Sequence, residues 1–577
     1  MRKIFQRALY LTAIITLLAI SAVWAVPPDA GQLMREQEPQ RQLPTQLPKP
    51  EAQQQRAAMD DSGISVTVKS FKFTGYEGLV EESELQQLLA DAVGKKLTFN
   101  ELQGLVSKVT AYLKDKGWFL ARAYLPKQDV TSGAVEIAII QGSSDGSLII
   151  KRDPSARINE GVLRGIGETA VSPGQVLNEQ KLERAVLLMN DLSGVNARAS
   201  LAPGATAGST AVQVDVDEGP LFSGSVWGDN YGNRYTGTWR GNGMINLNDP
   251  LRYGDQLSMM LTGAEGLVQG RVAYVAPLLP CGLKANLSYT GMYYNLIKDI
   301  SSLDMDGWSH TLDAGLSYPI LRSRKVNLTT TLGYELKLLR DRSSNVDLYN
   351  KILNSGILGF HGDEYDTLLG GGYTTFNVGA TLGDMDERKA DISITKVEGT
   401  YTHFNFGLAR LQRLIDRLTI NASYTGQLSL DNLDSSEKII LGGPNGVRAY
   451  PVGEASGDEG HLFNVDLRYD LPIPSDWGLL QLSGFYDAGQ ITLHHDVWLN
   501  SINTATDKNE YWLQGAGVGI LYVYKNIFSL RGSWAHTIDS NPGASATYDK
   551  KGKITDEDNA DGRDDQYRFW LQAAWYF

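Results

Sequence analysis

The sequence of 577 residues contains one cysteine, Cys281. A single cysteine cannot form an intrachain disulfide or a cysteine zinc site. Basic residues are outnumbered by acidic ones, 53 to 66, and the formal net charge is −13. Phosphate binding requires concentrated lysine and arginine, so this charge argues against nucleic acid as a partner. The composition therefore favours neither a disulfide scaffold nor a nucleic-acid-binding protein.

Long apolar runs are also missing from the sequence. Basic residues near the N-terminus precede the short apolar stretch Ala8–Ala19, and Val23–Ala25 offers small side chains at a cleavage position. This pattern predicts a secretory signal peptide over residues 1–25. Its dozen or so apolar residues are too few to cross a ~30 Å hydrocarbon core. If the rest of the chain spans a membrane, it must do so as a closed β-barrel, because lipid satisfies no backbone hydrogen bonds.

Patterns for catalysis, metal binding and nucleotide hydrolysis are weak or missing. Residues Gly142–Gly146 fit the Gly-x-Ser-x-Gly pattern, but no helix follows directly, and we interpret them as a flexible linker. His494 and His495 are adjacent and lack a third ligand at metal-site spacing. No phosphate-binding loop with the Gly-x-x-x-x-Gly-Lys-Ser/Thr pattern occurs. We therefore expect no enzymatic activity, no catalytic residue, no metal, no cofactor and no nucleotide.

The segment after the predicted signal peptide differs in composition from the remainder. Residues 26–63 are rich in proline and glutamine, which predicts a linker without a core of its own. Residues Ala30–Gln40 can hold a short helix before the prolines prevent it.

Two similar α+β modules are predicted over residues 64–142 and 143–219. Each module is predicted to contain an amphipathic helix that begins after an asparagine cap and ends at a glycine, followed by two apolar strands. The caps are Asn100 in the first copy and Asn178 in the second. These glycines and strands are Gly117, Ala121–Leu125 and Val135–Ile140 in the first copy, and Gly194, Ala197–Leu201 and Val212–Val216 in the second.

Residues 220–577 show short alternating strands separated by polar loops. In Arg417–Gln427, for example, apolar residues at even positions alternate with polar residues at odd positions. A soluble β-sandwich would alternate in the same way, but aromatic residues recur near strand ends, as in the girdles of membrane barrels. We predict a transmembrane barrel of about sixteen antiparallel strands, since bacterial barrels favour an even number.

One long loop of this region, at about residues 433–460, is predicted to fold into the barrel. It contains the Gly- and Pro-rich stretch Ile439–Glu454, and loops of this length are often functional. In the strand Gln481–Gly489, alternation places Asp487 on the inner face. A carboxylate in a pore needs a partner, and Arg448 can supply a bidentate one. From the residue types alone, a solvated Arg448 stays the alternative.

Two motifs resemble those of a known family. Val447–Tyr450 resembles the Val-Arg-Gly-Tyr/Phe motif, and Phe485–Gly489 resembles the Phe-x-Asp-x-Gly motif, of two-partner secretion transporters (TpsB, haemolysin activation/secretion proteins of the ShlB/FhaC type). Their superfamily combines periplasmic POTRA modules with a barrel and includes the assembly factor BamA. In addition, Asp29–Glu38 resembles the family's plug helix, the two modules resemble its two POTRA domains, and Asp229–Gly232 resembles its first barrel strand. Ala449 departs from the motif's glycine, which would cost stability if that position required a positive φ.

The resemblance implies a bacterial outer-membrane protein with its POTRA domains in the periplasm. It would capture an unfolded exoprotein (a haemolysin, adhesin or contact-inhibition toxin), secrete it through the lumen, and activate it in the haemolysin case. Outer-membrane lipid and lipopolysaccharide would be further partners. Two alternatives stay open: an outer-membrane assembly or insertion factor, and a passive porin or receptor, which leaves the modules without a role.

Two groups of functional residues are expected from the same resemblance and from the alternation. The residues that hold the loop are Gly446, Val447, Arg448, Tyr450, Phe485, Asp487 and Gly489. The substrate-binding residues in the second module are Asn196, Ala197, Arg198, Ala199, Ser200 and Leu201.

Overall fold

The computed structural model describes residues 27–577 except 39–64, 119, 142–143, 172–175, 205–209, 389–396, 500, 503 and 549–553. The predicted signal peptide and most of the predicted linker lie outside the described residues. The first element is helix α1 (Ala30–Glu36). In the described part of the chain, no helix combines the length and the apolar character needed to cross a membrane.

The first α+β unit has a three-stranded sheet covered by two helices. Its elements are β1 (Ser65–Thr67), β2 (Ser70–Thr74), α2 (Glu82–Leu88), β3 (Lys96–Thr98), α3 (Phe99–Asp115), β4 (Arg122–Tyr124) and β5 (Ala134–Ile140). The central strand β5 is parallel to β2 and antiparallel to β4. Val135 and Ile137 on one face of β5 pack with Val109 and Leu113 of α3, which gives the unit its own apolar core.

Of the two helix caps predicted from the sequence, one is wrong and one is confirmed. The prediction of Asn100 as a cap is wrong, because α3 begins at Phe99 and its cap is Thr98, two residues before Asn100. The Thr98 hydroxyl accepts a hydrogen bond from the N–H of Glu101, and the Glu101 carboxylate accepts one from the N–H of Thr98. This capping box satisfies two N–H groups at once, and Asn100 lies within the first turn. The predicted cap at Asn178 is confirmed by its bond from the N–H of Lys181, at 3.1 Å.

The second unit repeats the arrangement of the first. Its elements are β6 (Ser144–Arg152), α4 (Glu160–Glu168), α5 (Glu179–Asn190), β7 (Val195–Pro203) and β8 (Thr210–Glu218). The strand order is β6-β8-β7, with β6 parallel and β7 antiparallel to β8. The interpretation of Gly142–Gly146 as a linker is wrong from Ser144 onward, because β6 begins there. An irregularity in the β6–β8 pairing between Ser144 and Leu148 accommodates this polar, glycine-containing start.

The rest of the chain forms a closed antiparallel barrel of sixteen strands, as predicted. They are β9 (Phe222–Asp229), β10 (Arg240–Asn248), β11 (Gln256–Ala264), β12 (Leu267–Pro277), β13 (Lys284–Asn295), β14 (Met305–Arg322), β15 (Val326–Ser343), β16 (Val346–Asp366), β17 (Gly372–Glu387), β18 (Gly399–Ile415), β19 (Leu418–Ser429), β22 (Glu459–Asp470), β23 (Leu479–Thr492), β24 (Glu510–Tyr524), β25 (Phe528–Thr537) and β28 (Tyr567–Tyr576). Pairing of β28 with β9 closes the barrel. Two short hairpins, β20 (Ile439–Ile440) with β21 (Ser456–Gly457) and β26 (Ser545–Tyr548) with β27 (Ile554–Asp558), lie outside the wall.

Side chains alternate between the two faces of the wall. On β19, Asn421 is buried and faces the lumen, whereas Ala422 is exposed on the outside. On β23, Asp487 is fully buried, whereas its neighbour Tyr486 is exposed. The predicted alternation is therefore confirmed in both strands. The barrel has an apolar outer surface and a polar lumen, the opposite of a soluble sandwich.

The second α+β unit packs against the short turns at one end of the barrel. Asp191, which caps the C-terminus of α5, accepts two hydrogen bonds from Arg322, at 2.7 and 2.8 Å. Lys284 donates to the carbonyl oxygen of Asp191 at 2.6 Å, and Arg184 donates to the carbonyl oxygen of Pro319 at 2.6 Å. Two cations at a helix C-terminus are favoured by the helix dipole. This unit is therefore positioned at one mouth of the barrel.

Candidate functional site: a loop and a helix inside the barrel

The connection between β19 and β22, residues 430–458, folds into the barrel, and we call it the inner loop. The segments before and after its tip, which we call its two arms, are joined by the pairing of β20 with β21. At its tip, Val447, Ala449 and Tyr450 are buried in one apolar cluster with Phe485 of β23 and Leu513 of β24. The tip is therefore fixed against the inner face of the wall rather than extended into solvent.

Arg448 is bound by two carboxylates and one aromatic ring. Its guanidinium donates to both oxygens of Asp487, from Nε to Oδ2 at 2.8 Å and from Nη2 to Oδ1 at 2.6 Å. Nη1 donates to Asp466 Oδ1 at 2.8 Å. The guanidinium carbon lies 3.4 Å from the ring centroid of Phe485. The structure thus brings together the predicted residues Arg448, Asp487 and Phe485.

Three wall residues contact the tip and were not singled out from the sequence. They are Asp466 and Asn464 on β22, and Trp570 on β28. Asn464 donates to the carbonyl oxygen of Gly446 at 2.9 Å and to Asp487 Oδ1 at 2.8 Å. Trp570 Nε1 donates to the carbonyl oxygen of Arg448 at 2.8 Å. The alternation of β22 places Asn464 and Asp466 on the inner face, which was a usable signal, whereas no local pattern links Trp570 to Arg448.

Glycines make room for the tip. A Cβ atom at Gly489 would lie 2.9 Å from Leu441 Cδ1 and 3.3 Å from Val447 Cγ2. A Cβ atom at Gly515 of β24 would lie 2.5 Å from the Cβ atom of Ala449. Ala449 is not among the residues with a positive φ, so its methyl group adds no backbone strain. The motif's usual glycine is replaceable here because β24 has a glycine opposite the methyl group.

Helix α1 lies beside the inner loop within the same barrel. Its capping residue Asp29 accepts hydrogen bonds from the N–H of Gln32, at 2.9 Å, and from Ser435 Oγ of the inner loop, at 2.7 Å. The N–H of Ala30 donates to Asp341 Oδ1 on β15 at 2.8 Å. Leu33 is fully buried in a cluster with wall residues. The helix therefore binds the wall and the inner loop together.

The first arm of the inner loop is held by two buried lysines of the wall. Lys351 of β16 donates to Asp434 Oδ2 at 2.7 Å, and Lys337 of β15 donates to Glu437 Oε1 at 2.8 Å. His403 Nε2 lies 3.1 Å from Glu437 Oε2. Removal of one partner of a buried ion pair strongly destabilises a protein, because the other charge is left unpaired. The arm is thus fixed by charge, independently of the Arg448 contacts at the tip.

The lumen space left beside these elements is a cavity of about 610 Å³. Arg35 and Glu36 of α1, and Asn445 and Arg448 of the inner loop, form part of its lining. The wall contributes mostly polar and small residues, among them Asn421, Ser423, Gln481, Ser483, Gly519 and Ser533. The lumen offers a polar surface, but α1 and the inner loop obstruct it.

The residues predicted to bind substrate in the second unit lie on β7, an edge strand. Asn196, Arg198, Ala199, Ser200 and Leu201 are exposed, whereas Ala197 is buried. These residues are far from the inner loop in sequence and lie in the second α+β unit. No cluster of three or more histidine, cysteine, aspartate or glutamate side chains suited to a metal ion occurs within the described ranges.

Comparison with known proteins gives consistent matches along the chain. The family described as haemolysin secretion/activation protein ShlB/FhaC/HecB matches residues 208–520, and the POTRA domain of ShlB type matches residues 66–142. The chain is similar to the heme/hemopexin transporter protein HuxB of Haemophilus influenzae (strain 86-028NP), with 28% identity over 559 residues and 94% of each chain covered. It is also similar to the outer membrane transporter CdiB of Escherichia coli, with 24% identity over 428 residues, 71% of this chain and 70% of the relative.

A solved structure shares the fold. The structure of CdiB from Escherichia coli has a TM-score of 0.69 to this chain at 20% sequence identity, and the match covers 99% of this chain and 98% of the other. At this identity the likeness concerns the arrangement of the units and the barrel.

Proposed function

The chain belongs to the haemolysin secretion/activation protein family ShlB/FhaC/HecB, and we infer from this that it is an outer-membrane transporter that secretes an exoprotein in the two-partner manner. The observation that carries the inference is a polar lumen closed by two elements that are held by side-chain contacts rather than by strands of the wall. Elements held in this way can move without unpairing the strands of the wall. A passive porin would leave the two α+β units without a role.

The orientation follows from the ends of the barrel. Bacterial outer-membrane barrels have short periplasmic turns and longer extracellular loops. The second unit contacts the short turns, for instance through Arg322 beside the turn after β14. The two units therefore face the periplasm, where the exoprotein arrives.

We propose capture by strand addition as the first step. An unfolded polypeptide exposes unpaired backbone groups, and an open sheet edge pairs with them with little demand on sequence. The exposed edge of β7 at Ala199 and Leu201 supports this role. Binding at the mouth holds the chain extended, ready to enter the lumen.

Passage then requires that α1 leaves and that the inner loop shifts. Release breaks the contacts of Asp29 with Ser435 and of Arg448 with Asp487, while the strands of the wall stay paired. The exoprotein threads past the polar wall, and its folding outside makes the passage one-way. Each step is binding or movement, with no covalent chemistry.

The cargo belongs to the same proposal. We propose a large exoprotein of the haemolysin, adhesin or contact-inhibition toxin type. The relative with 28% identity is named a heme/hemopexin transporter protein, and this name supports a cargo linked to heme or hemopexin. Contact with lipopolysaccharide is proposed from the outer-membrane location.

Co-expression with a candidate exoprotein, sought in the reading frame next to this gene, tests the function. The exoprotein is expected in the culture medium with the transporter and in the periplasm without it. The same amount in the medium in both cases would contradict the proposal. Unchanged insertion of other outer-membrane proteins on depletion would separate secretion from barrel assembly.

A further inference from the structure

A side-chain amide occupies part of the outer edge of β7. In the described part of the chain, β7 pairs with β8 on one side and with no strand on the other. Asn190, the last residue of α5, lies against that free side. Its Oδ1 accepts the N–H of Ala197 at 2.7 Å, and its Nδ2 donates to the carbonyl oxygen of Ala197 at 2.9 Å. An amide side chain offers the same donor and acceptor as a peptide group, so Asn190 takes the place of one residue of an added strand.

The pleat determines which other residues share this edge. The β7–β8 pairing runs from Val195 to Pro203 without a register shift. Alternate residues of an antiparallel strand direct their N–H and C=O groups to the same side. Since Ala197 directs both groups outward, Ala199 and Leu201 do so as well. These two residues present the outward hydrogen-bonding positions beyond the one that Asn190 fills.

The side chains of Ala199 and Leu201 are apolar and exposed to solvent. Val195 and Ala197 lie on the face of β7 that packs in the core of the unit and are buried. Ala199 and Leu201 lie on the same face, yet they are exposed, with Leu201 at 42%. Burying apolar surface is favourable at roughly 25 cal/mol per Å². The surface is suited to an extended polypeptide whose alternate residues are apolar.

We propose that Asn190 sets the register of the exported polypeptide on β7, with strand addition beginning at Ala199 and continuing at Leu201, and with Ala197 excluded. The identity of the polypeptide rests on the function proposed above, whereas the register rests on the contacts of Asn190. A short pairing length also favours release, because each added pair strengthens the complex. The amide thus limits how tightly the substrate is held before it enters the barrel.

Amide hydrogen exchange on the full chain in detergent tests the register, with a synthetic peptide of alternating valine and threonine as the probe. In the wild type, the Ala197 amide is expected to exchange slowly with and without peptide. The Ala199 and Leu201 amides are expected to become slow only when peptide is bound. With Asn190→Ala, the Ala197 amide should exchange fast alone and slowly with peptide. The Kd should fall about tenfold, because two more backbone hydrogen bonds form between the peptide and β7.

Two further variants make the result specific. Asn190→Asp keeps the acceptor for the N–H of Ala197, so this amide should stay slow without peptide. Gln180→Ala removes an exposed amide from the same helix and should change neither exchange nor affinity. The proposal is wrong if the peptide does not bind, if it binds without protecting Ala199 and Leu201, or if Ala197 in the wild type is protected only by peptide. If one of these results is found and cells that carry the wild-type chain still secrete the exoprotein, the register is wrong and the transport function stands.

Discussion

At the scale of single residues, Arg448 is the charge that fixes the tip of the inner loop. It is bound by Asp487 and Asp466, and both carboxylates lie on the inner face of the wall. Removal of one member of a buried ion pair leaves an uncompensated charge and costs about 3–5 kcal/mol. We therefore expect Arg448→Ala and Asp487→Ala to displace the loop and to impair export, while the barrel still inserts.

The measurement is export of the exoprotein relative to the amount of heat-modifiable barrel in the outer membrane. Arg563→Ala is a matched control, because Arg563 is half exposed and its ion pair with Asp565, at 3.8 Å, lies near the surface. Surface pairs contribute about 0–1 kcal/mol. Full export by both Arg448→Ala and Asp487→Ala would mean that this pair has no role in transport.

The fit of Ala449 against Gly515 allows a second prediction at this scale. A side chain at Gly515 would overlap the Ala449 methyl group, since the two Cβ atoms would lie 2.5 Å apart. Overpacking of this kind costs about 1–3 kcal/mol. Gly515→Val should therefore increase protease cleavage within the inner loop, measured on the purified protein.

Ala449→Gly provides the matched test of the same contact. It removes the methyl group without requiring a change of backbone conformation, so cleavage should stay at the wild-type level. The double variant Ala449→Gly with Gly515→Ala should also resist cleavage, because the removed methyl group leaves space for the added one. Equal cleavage of Gly515→Val and the wild type would show that the tip does not rest on β24.

At the scale of elements, helix α1 is the part that can leave the barrel without unpairing strands. It has seven residues, and it is held by side-chain contacts and by the N–H of Ala30 rather than by pairing with a strand of the wall. Deletion of residues 29–45 should raise the ion conductance of the protein in planar bilayers, because it opens the lumen beside the 610 Å³ cavity. Asp29→Ala should give intermediate conductance with frequent fluctuations. Identical conductance of the deletion variant and the wild type would show that α1 is no obstruction.

The elements also show what local sequence determines. Alternation is local, so the faces of β19 and β23, including the inward Asp487, followed from the sequence. The sequence offers two capping residues at the start of α3, Thr98 and Asn100. Glu101 lies three residues after Thr98, which is the spacing of a capping box and indicates Thr98 as the cap.

Contacts that depend on closure of the barrel could not be predicted. Trp570 meets Arg448 across 122 residues of chain. Asp29 meets Ser435 only because the helix and the loop share one lumen. Family resemblance suggested a plug helix and a loop lock, but their shared anchor at Asp29 and Ser435 is a property of the assembled fold.

At the scale of the whole molecule, we propose that the lumen is the route of export. In this proposal the exoprotein is captured at β7, enters beside the second unit, and passes the polar inner face of the wall after α1 and the inner loop have moved. Two adjacent residues of β19 distinguish the inside of this wall from its outside. Ser423 lines the lumen, whereas Ala422 is exposed on the outer surface.

Photo-crosslinking of an arrested exoprotein tests this route most directly. A photoreactive amino acid is placed at position 423 or at position 422, and export is stalled by a stably folded domain fused to the C-terminus of the exoprotein. The account predicts strong crosslinks to the exoprotein from position 423 and none from position 422. Crosslinks from position 422 alone, or none from position 423 while the exoprotein is stalled, would contradict passage through the lumen.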